Sequence, residues 1–283
     1  METNSKALTD ILDVLDKSNE RFSKELYIPS LKKDVSFYEM TTAQQKKLVK
    51  SVIDSPVYNS EFIIALRDVI KENCVDKTVD INKLTIYDKL LVAIQFRMLY
   101  IDNDFGVTVK CPDCGKEFSM NIKLDGLFDS VKNLTYDFER EIIDPSGTFK
   151  VYVSIPTIDD EYRIEKELRR DSEIQTDPKD LKKMRETVGE VYIGELSKYV
   201  KRVILLDKDT VVKDIDMSQM PFKDRIKIIE KLRTSILKEV MKFTNDVQKA
   251  FKAVTVFKIN CTCEKKTVLE EKLNIDASFF TVS

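Results

Sequence analysis

Apolar residues near the start of the chain fall at helical spacing. Leu8, Ile11, Leu12 and Leu15 predict an amphipathic helix over 5–17, with Ser5 as its N-cap. Two short strand-like runs follow, 27–31 and 35–38, around a Lys-Lys-Asp turn. Thr41 or Thr42 then caps a helix reaching about Ile53, which Asp54-Ser55-Pro56 breaks. A third helix opens at Ser60, places Phe62, Ile63, Leu66, Val69 and Ile70 on one face, and closes at Cys74. The fourth, over 85–101, is apolar almost all round, as expected of the buried centre of this N-terminal region.

After Gly106 the period changes from helical to alternating. Residues 107–110 and 118–122 read as strands flanking Cys-Pro-Asp-Cys-Gly, and strand-like runs at 136–143 and 149–155 flank the turn Asp144-Pro145-Ser146-Gly147. Helix resumes at Thr157 with Asp159, Asp160 and Glu161 in its first turn. It dominates to about 252, with one helix over 190–204 and a short hairpin near Asp207-Lys208-Asp209. Alternation returns at Val254–Ile259, then Cys261-Thr262-Cys263, then Thr267–Leu269. No repeat at a solenoid period is present.

Charge narrows the functional classes. Lys and Arg total 47 against 49 Asp and Glu, a net charge of -2, so the chain lacks the basic excess of a nucleic-acid binder. It contains no His, which removes Ser-His, Cys-His and His-metal mechanisms together. The expected protein is not an enzyme. The N-terminus lacks the pattern of a secretory signal, and the longest apolar runs are about five residues against the roughly 20 needed to span a bilayer. A soluble, intracellular protein is expected, and in a reducing compartment its five cysteines favour metal over disulfides.

Cys111-Pro112-Asp113-Cys114-Gly115 is the strongest chemical signal. Cys-X-X-Cys at a strand end converges two thiolates on one ion, aims backbone N–H groups at them, and uses Gly115 for the positive φ of the tight turn. One such knuckle is half of a tetrahedral site, and Cys261 with Cys263 is the candidate for the other half. Side chains two apart on a strand are about 6.5 Å apart, whereas two sulfurs on one Zn must be under 4 Å apart, so a local turn at Thr262 is required. The expected site is a closed, structural Zn held by Cys111, Cys114, Cys261 and Cys263. The alternative is an eroded site with free thiols. A thioredoxin-like motif lacks its βαβ context.

The expected fold is therefore α+β and mostly helical, with a small zinc-ribbon-like β module formed by two hairpins distant in sequence. The expected organisation is an N-terminal helix over 1–25, a helical unit with a short hairpin over 26–105, the β module over 106–156 plus 253–280, and a helical insertion over 157–252. Cys74 reads as a buried apolar residue. Asp159, Asp160 and Glu161 fit dipole and capping roles better than acid–base catalysis. Arg169-Arg170 and Lys182-Lys183, interspersed with acids, read as solvated helix faces. Helix 5–17 reads equally as a partner-binding helix and as core packing.

The blocks LYIPSLKKDVSFYEMTTAQQKKLVKSVIDS, EFIIALRDVIKENC, VDINKLTIYDKLLVAIQFRML and VTVKCPDCGKEFSMNIKLDGL together resemble the baseplate hub and hub-assembly proteins of T-even-like contractile-tailed bacteriophages. MSQMPFKDRIKIIEKLRTSILKEVMKF and the closing ASFF are similar to that family's C-terminal part. The chain departs from the family pattern in carrying Cys-Thr-Cys where Cys-X-X-Cys is expected, and in its helix before residue 26. The resemblance implies a late, non-enzymatic hub component or assembly factor. It would contact other hub or tail proteins, in the host cytoplasm during assembly and then in the virion tail baseplate. It implies no nucleic acid, small-molecule substrate or stable membrane anchor. The competing reading is a zinc-ribbon nucleic-acid-binding regulator. Mixed charge over 110–123 and 258–272 argues against it.

Overall fold

The computed structural model describes residues 2–19, 22–54, 60–131, 134, 138–174, 189, 192–208, 210–261, 267–273, 275 and 277–281. Within it the chain divides into two compact units. Residues 1–81, 87–132 and 257–283 make the first, and residues 82–86 and 133–256 the second.

The first unit begins with helix α1 (Glu2–Asn19), followed by an antiparallel hairpin of β1 (Ser23–Ile28) and β2 (Lys33–Tyr38). Leu26, Ile28, Val35 and Phe37 alternate along the hairpin and are all buried, as a sheet with one covered face requires. Helices α2 (Thr42–Asp54), α3 (Ser60–Asn73) and α4 (Ile86–Tyr100) complete the N-terminal part, and the short helix α5 (Asp125–Val131) follows in the same unit. Thr41 and Gln44 form a capping box at α2. The Gln44 N–H donates to Thr41 Oγ1 at 3.2 Å, and the Thr41 N–H donates to Gln44 Oε1 at 3.0 Å. α4 is buried almost all round. Its Gln95 amide pairs with both backbone groups of Tyr27 at 3.0 Å, which lets a polar side chain sit inside the core.

The C-terminal segment belongs to this same unit. The short 3-10 turn Ala277–Phe280 buries Phe279 and Phe280, whose rings pack on Phe105 at 5.2 Å and Phe62 at 6.0 Å respectively. Arg97 of α4 is 2% exposed. Its guanidinium lies 5.0 Å from the Phe105 ring and 5.4 Å from the Phe279 ring, and donates to the carbonyls of Phe279, Thr281 and Asp104.

The second unit is built on an antiparallel sheet in the order β5 (Glu139–Ile143), β6 (Phe149–Ser154), β7 (Val200–Asp207), β8 (Thr210–Asp216). Helices α6 (Ile158–Ile174), α7 (192–199), α8 (Phe222–Lys231) and α9 (Thr234–Thr255) accompany it. The segment 82–86 joins this unit through backbone bonds from Ile86 to Pro156 and from Ile158 to Leu84. Ile164, Phe222 and Ile226 pack together. Gly194 is needed beside them, because a Cβ there would lie 2.9 Å from the Phe222 ring.

Two groups of charges are centred on buried residues in this unit, one on Asp160 and Arg225, the other on Glu165 and Lys198. Asp160 caps α6 by accepting from the Thr157 N–H and Oγ1, and it pairs with Lys201 and Arg225. Lys198 pairs with Glu165 at 2.8 Å and Glu195 at 2.6 Å. Burial pushes the Asp160 carboxyl up, but Lys201 and the Thr157 bonds outweigh it and hold the pKa below the ordinary 3.8. A carboxylate held low stabilises the fold above its ordinary pKa, and that stabilisation is lost as pH falls through the lowered value. Asp160→Asn should therefore cost about 3 kcal/mol at pH 7. In urea titrations that gap should narrow below about pH 4. A gap of equal size at pH 7 and pH 3 would show that Asp160 is not the ion in this network.

Two expectations about fold class are overturned. The chain is not mostly helical with one zinc-ribbon-like module. The described residues hold ten strands in four separate antiparallel sheets. Among the described residues β3 (Asp104–Lys110) pairs only with β4 (Glu117–Lys123), and β9 (Val256–Asn260) only with β10 (Val268–Lys272), so the cysteine-bearing hairpins share no sheet there. Strand 149–154 hydrogen-bonds instead to 139–143 on one side and to β7 on the other, and Val200, Val203 and Ile204 of β7 lie in the stretch where the sequence predicts helix. The short apolar run there fits either period, and pairing with β6 decides it.

Candidate metal centre

β3 delivers Cys111 to the end of its hairpin, just past the last strand pair, Lys110 opposite Glu117. The Cys111 N–H donates to the Lys116 carbonyl and the Gly115 N–H returns to the Cys111 carbonyl, both at 2.9 Å. Gly115 has φ of 68°, the left-handed value that the knuckle demands. β9 delivers Cys261 in the same way, with its N–H bonded to the Thr267 carbonyl at 2.9 Å. Each cysteine thus closes the loop of its own hairpin.

The two loops meet. The sulfurs of Cys111, Cys114 and Cys261 all lie within 4.8 Å of one another, and Cys114 and Cys261, 147 positions apart in sequence, are 3.7 Å apart at Sγ. Two thiolates on a tetrahedral ion at a Zn–S distance of about 2.3 Å are about 3.8 Å apart. No disulfide joins them. Thr267 Oγ1 donates to Asp113 Oδ2 at 2.5 Å and ties the loops a second time.

Cys111 and Cys261 are buried and Cys114 is exposed. The backbone N–H of Cys114 points at the Cys111 sulfur and holds that thiol below its ordinary pKa. Burial pushes the other way, and the Asp113 N–H adds to the lowering. A knuckle shaped for a thiolate is what a metal ligand needs, since the metal binds the deprotonated sulfur. Three soft donors, two of them buried, form a cluster able to hold a thiophilic metal such as Zn.

Of the four cysteines expected as ligands, Cys111, Cys114 and Cys261 come together, while Cys263 lies outside the described residues. Cys74 is apart from the cluster. It is buried, its thiol faces the Asp76 carbonyl at 3.4 Å, and burial pushes its pKa up. Of the acids at the start of α6, Asp160 serves the cap and the buried ion pairs, and Asp159 pairs with Arg163 one turn on. The side chains of Arg169 and Arg170, and all of Lys182 and Lys183, lie outside the described residues. Sequence reasoning missed the Asp113–Thr267 tie and the Arg97 clamp. The tie had no signal, since it joins residues 154 positions apart. An Arg in the last turn of a largely apolar helix was the available sign of the clamp.

Among the described residues no helix is long and apolar enough to cross a membrane. No curated protein and no solved structure matches the chain. The sequence pattern of the T4 bacteriophage base plate protein matches residues 20–280, a stretch that includes both cysteine hairpins and the segment that buries Phe279 and Phe280. With the match covering nearly its whole length, the chain belongs to the T4 bacteriophage base plate protein family.

Proposed function

We propose that this protein is a structural or assembly component of the baseplate hub of a contractile phage tail, acting by protein–protein contact rather than catalysis. The family match over residues 20–280 carries the reading. The block resemblance to hub proteins narrows it from baseplate to hub. The metal in this reading is a structural Zn held by Cys111, Cys114 and Cys261, with Cys263 as fourth ligand. Four thiolates leave no open coordination position, so the metal supplies cross-linking and not a reactive water. The partners are other hub or tail proteins, met in the host cytoplasm during assembly and retained in the tail baseplate. Nucleic acid and membrane have no part in the reading, in keeping with a net charge of -2.

Genetic depletion tests it. A phage carrying a stop codon early in this gene should give lysates with filled heads but without complete baseplates. The purified protein, added to such lysates, should restore tail assembly. Normal tails in the depleted lysate would overturn the proposal.

A further inference from the structure

Helix α1 leaves its apolar side in solvent. Ile11, Leu12, Val14 and Leu15 are 57%, 50%, 66% and 52% exposed. An isolated helix of this length is marginal in water, and its stability in proteins comes from covering such a face. The helix also lies ahead of the family match, which begins at residue 20, so the shared fold does not supply its cover.

The pattern says what does. At about 100° per residue, Val14, Ile11, Leu15 and Leu12 span an arc of about 160°. A two-helix seam is narrower and needs a sustained heptad, whereas here Leu8, Ile11 and Leu15 are flanked at the next seam positions by Asn4 and Ser18. Pairing with a second copy would bury ~800 Å² in total from these side chains, under the ~1,200 Å² of stable complexes. The arc suits a groove that wraps the helix. The helix is acidic on balance, with one Glu and three Asp against two Lys; Asp stands at position 16 beyond Leu12, and at position 10, beside Lys17, beyond Val14.

We infer that α1 is a docking helix whose Ile11–Leu15 arc seats in an apolar groove, rimmed by Lys or Arg, on another baseplate protein. This rests on the assembly role proposed above. It adds the surface used and the chemistry of the partner.

The test is binding of the full-length chain to each of the other purified baseplate proteins of the encoding phage. One should bind. Ile11→Asp with Leu15→Asp should weaken that complex at least ~100-fold, with thermal unfolding of the two units unchanged. Asp10→Lys with Asp16→Lys should weaken it ~10-fold and mainly slow association. Variants that bind as tightly as the unmutated chain would overturn the docking helix and leave the assembly role standing. If neither the unmutated nor the variant chain binds any baseplate protein, both readings fall. A dimer in sedimentation velocity that Ile11→Asp with Leu15→Asp dissolves would make a second copy the occupant. Binding to phosphatidylglycerol vesicles lost in the same variant would make it a membrane. Either result overturns the inference.

Discussion

Serine at position 114 should strip the protein of its metal. Purified without added metal, the unmutated chain is expected to carry about one Zn and Cys114→Ser nearly none, because removing one thiolate from a cluster of three, or of four with Cys263, removes much of the affinity. In the proposed site a Zn would link residues 147 positions apart, and the loop-closure share of such a link is about 5 kcal/mol by analogy with a disulfide. Both hairpins belong to the first unit. Its melting transition should therefore fall by about 10–20 °C in calorimetry, while that of the second unit stays where it was. Cys74→Ser, buried elsewhere, should keep its Zn. If Cys114→Ser melts like the unmutated chain, the metal contributes no structure.

Arg97→Leu should have an effect of similar size by a separate route. The guanidinium donates to the Phe279 carbonyl at 2.6 Å, Asp104 at 3.2 Å and Thr281 at 3.3 Å. Leucine leaves those acceptors without their donor and removes the cation from between the Phe105 and Phe279 rings. At about 1–3 kcal/mol for each buried acceptor left unmet, partly relieved by water, the loss should be about 3–5 kcal/mol. Amides of residues 277–281 should lose protection from hydrogen exchange while Zn content holds at about one per chain. The two variants thus separate the metal from the clamp. A stability change under about 1 kcal/mol would show that Arg97 does not hold the C-terminal segment.

The helices of the first unit were legible because each carries its own punctuation. Thr41 with Gln44 marks the start of α2, Ser60 opens α3, and the all-round apolar pattern of α4 matches its burial. The Cys-X-X-Cys knuckle was legible for the same local reason, since Gly115 and two thiols sit within one turn. What escaped is what depends on distant partners. Residues 200–204 satisfy a helical period as well as a strand, and pairing with β6 makes them part of β7. The zinc-ribbon expectation failed because cysteine spacing does not tell whether the flanking strands share hydrogen bonds. The buried ions escaped too. Lys198, Lys201 and Arg225 carry no local mark in the sequence, because the Glu165 and Asp160 that hold them lie on α6, far away along the chain.

The first unit draws its last pieces from residues 257–283. During synthesis, Cys114 is therefore made long before Cys261 exists. At about 5–20 residues per second, the 147 positions between them take about 7–30 s to translate. For that interval two knuckle thiols wait with no sulfur opposite, and Phe105 and Arg97 wait with no aromatic segment to cover them. The second unit has no such gap, because nearly all of it is one continuous run, 133–256. The portion of the protein made first is the portion finished last, and a chain broken off anywhere before Cys261 never completes it.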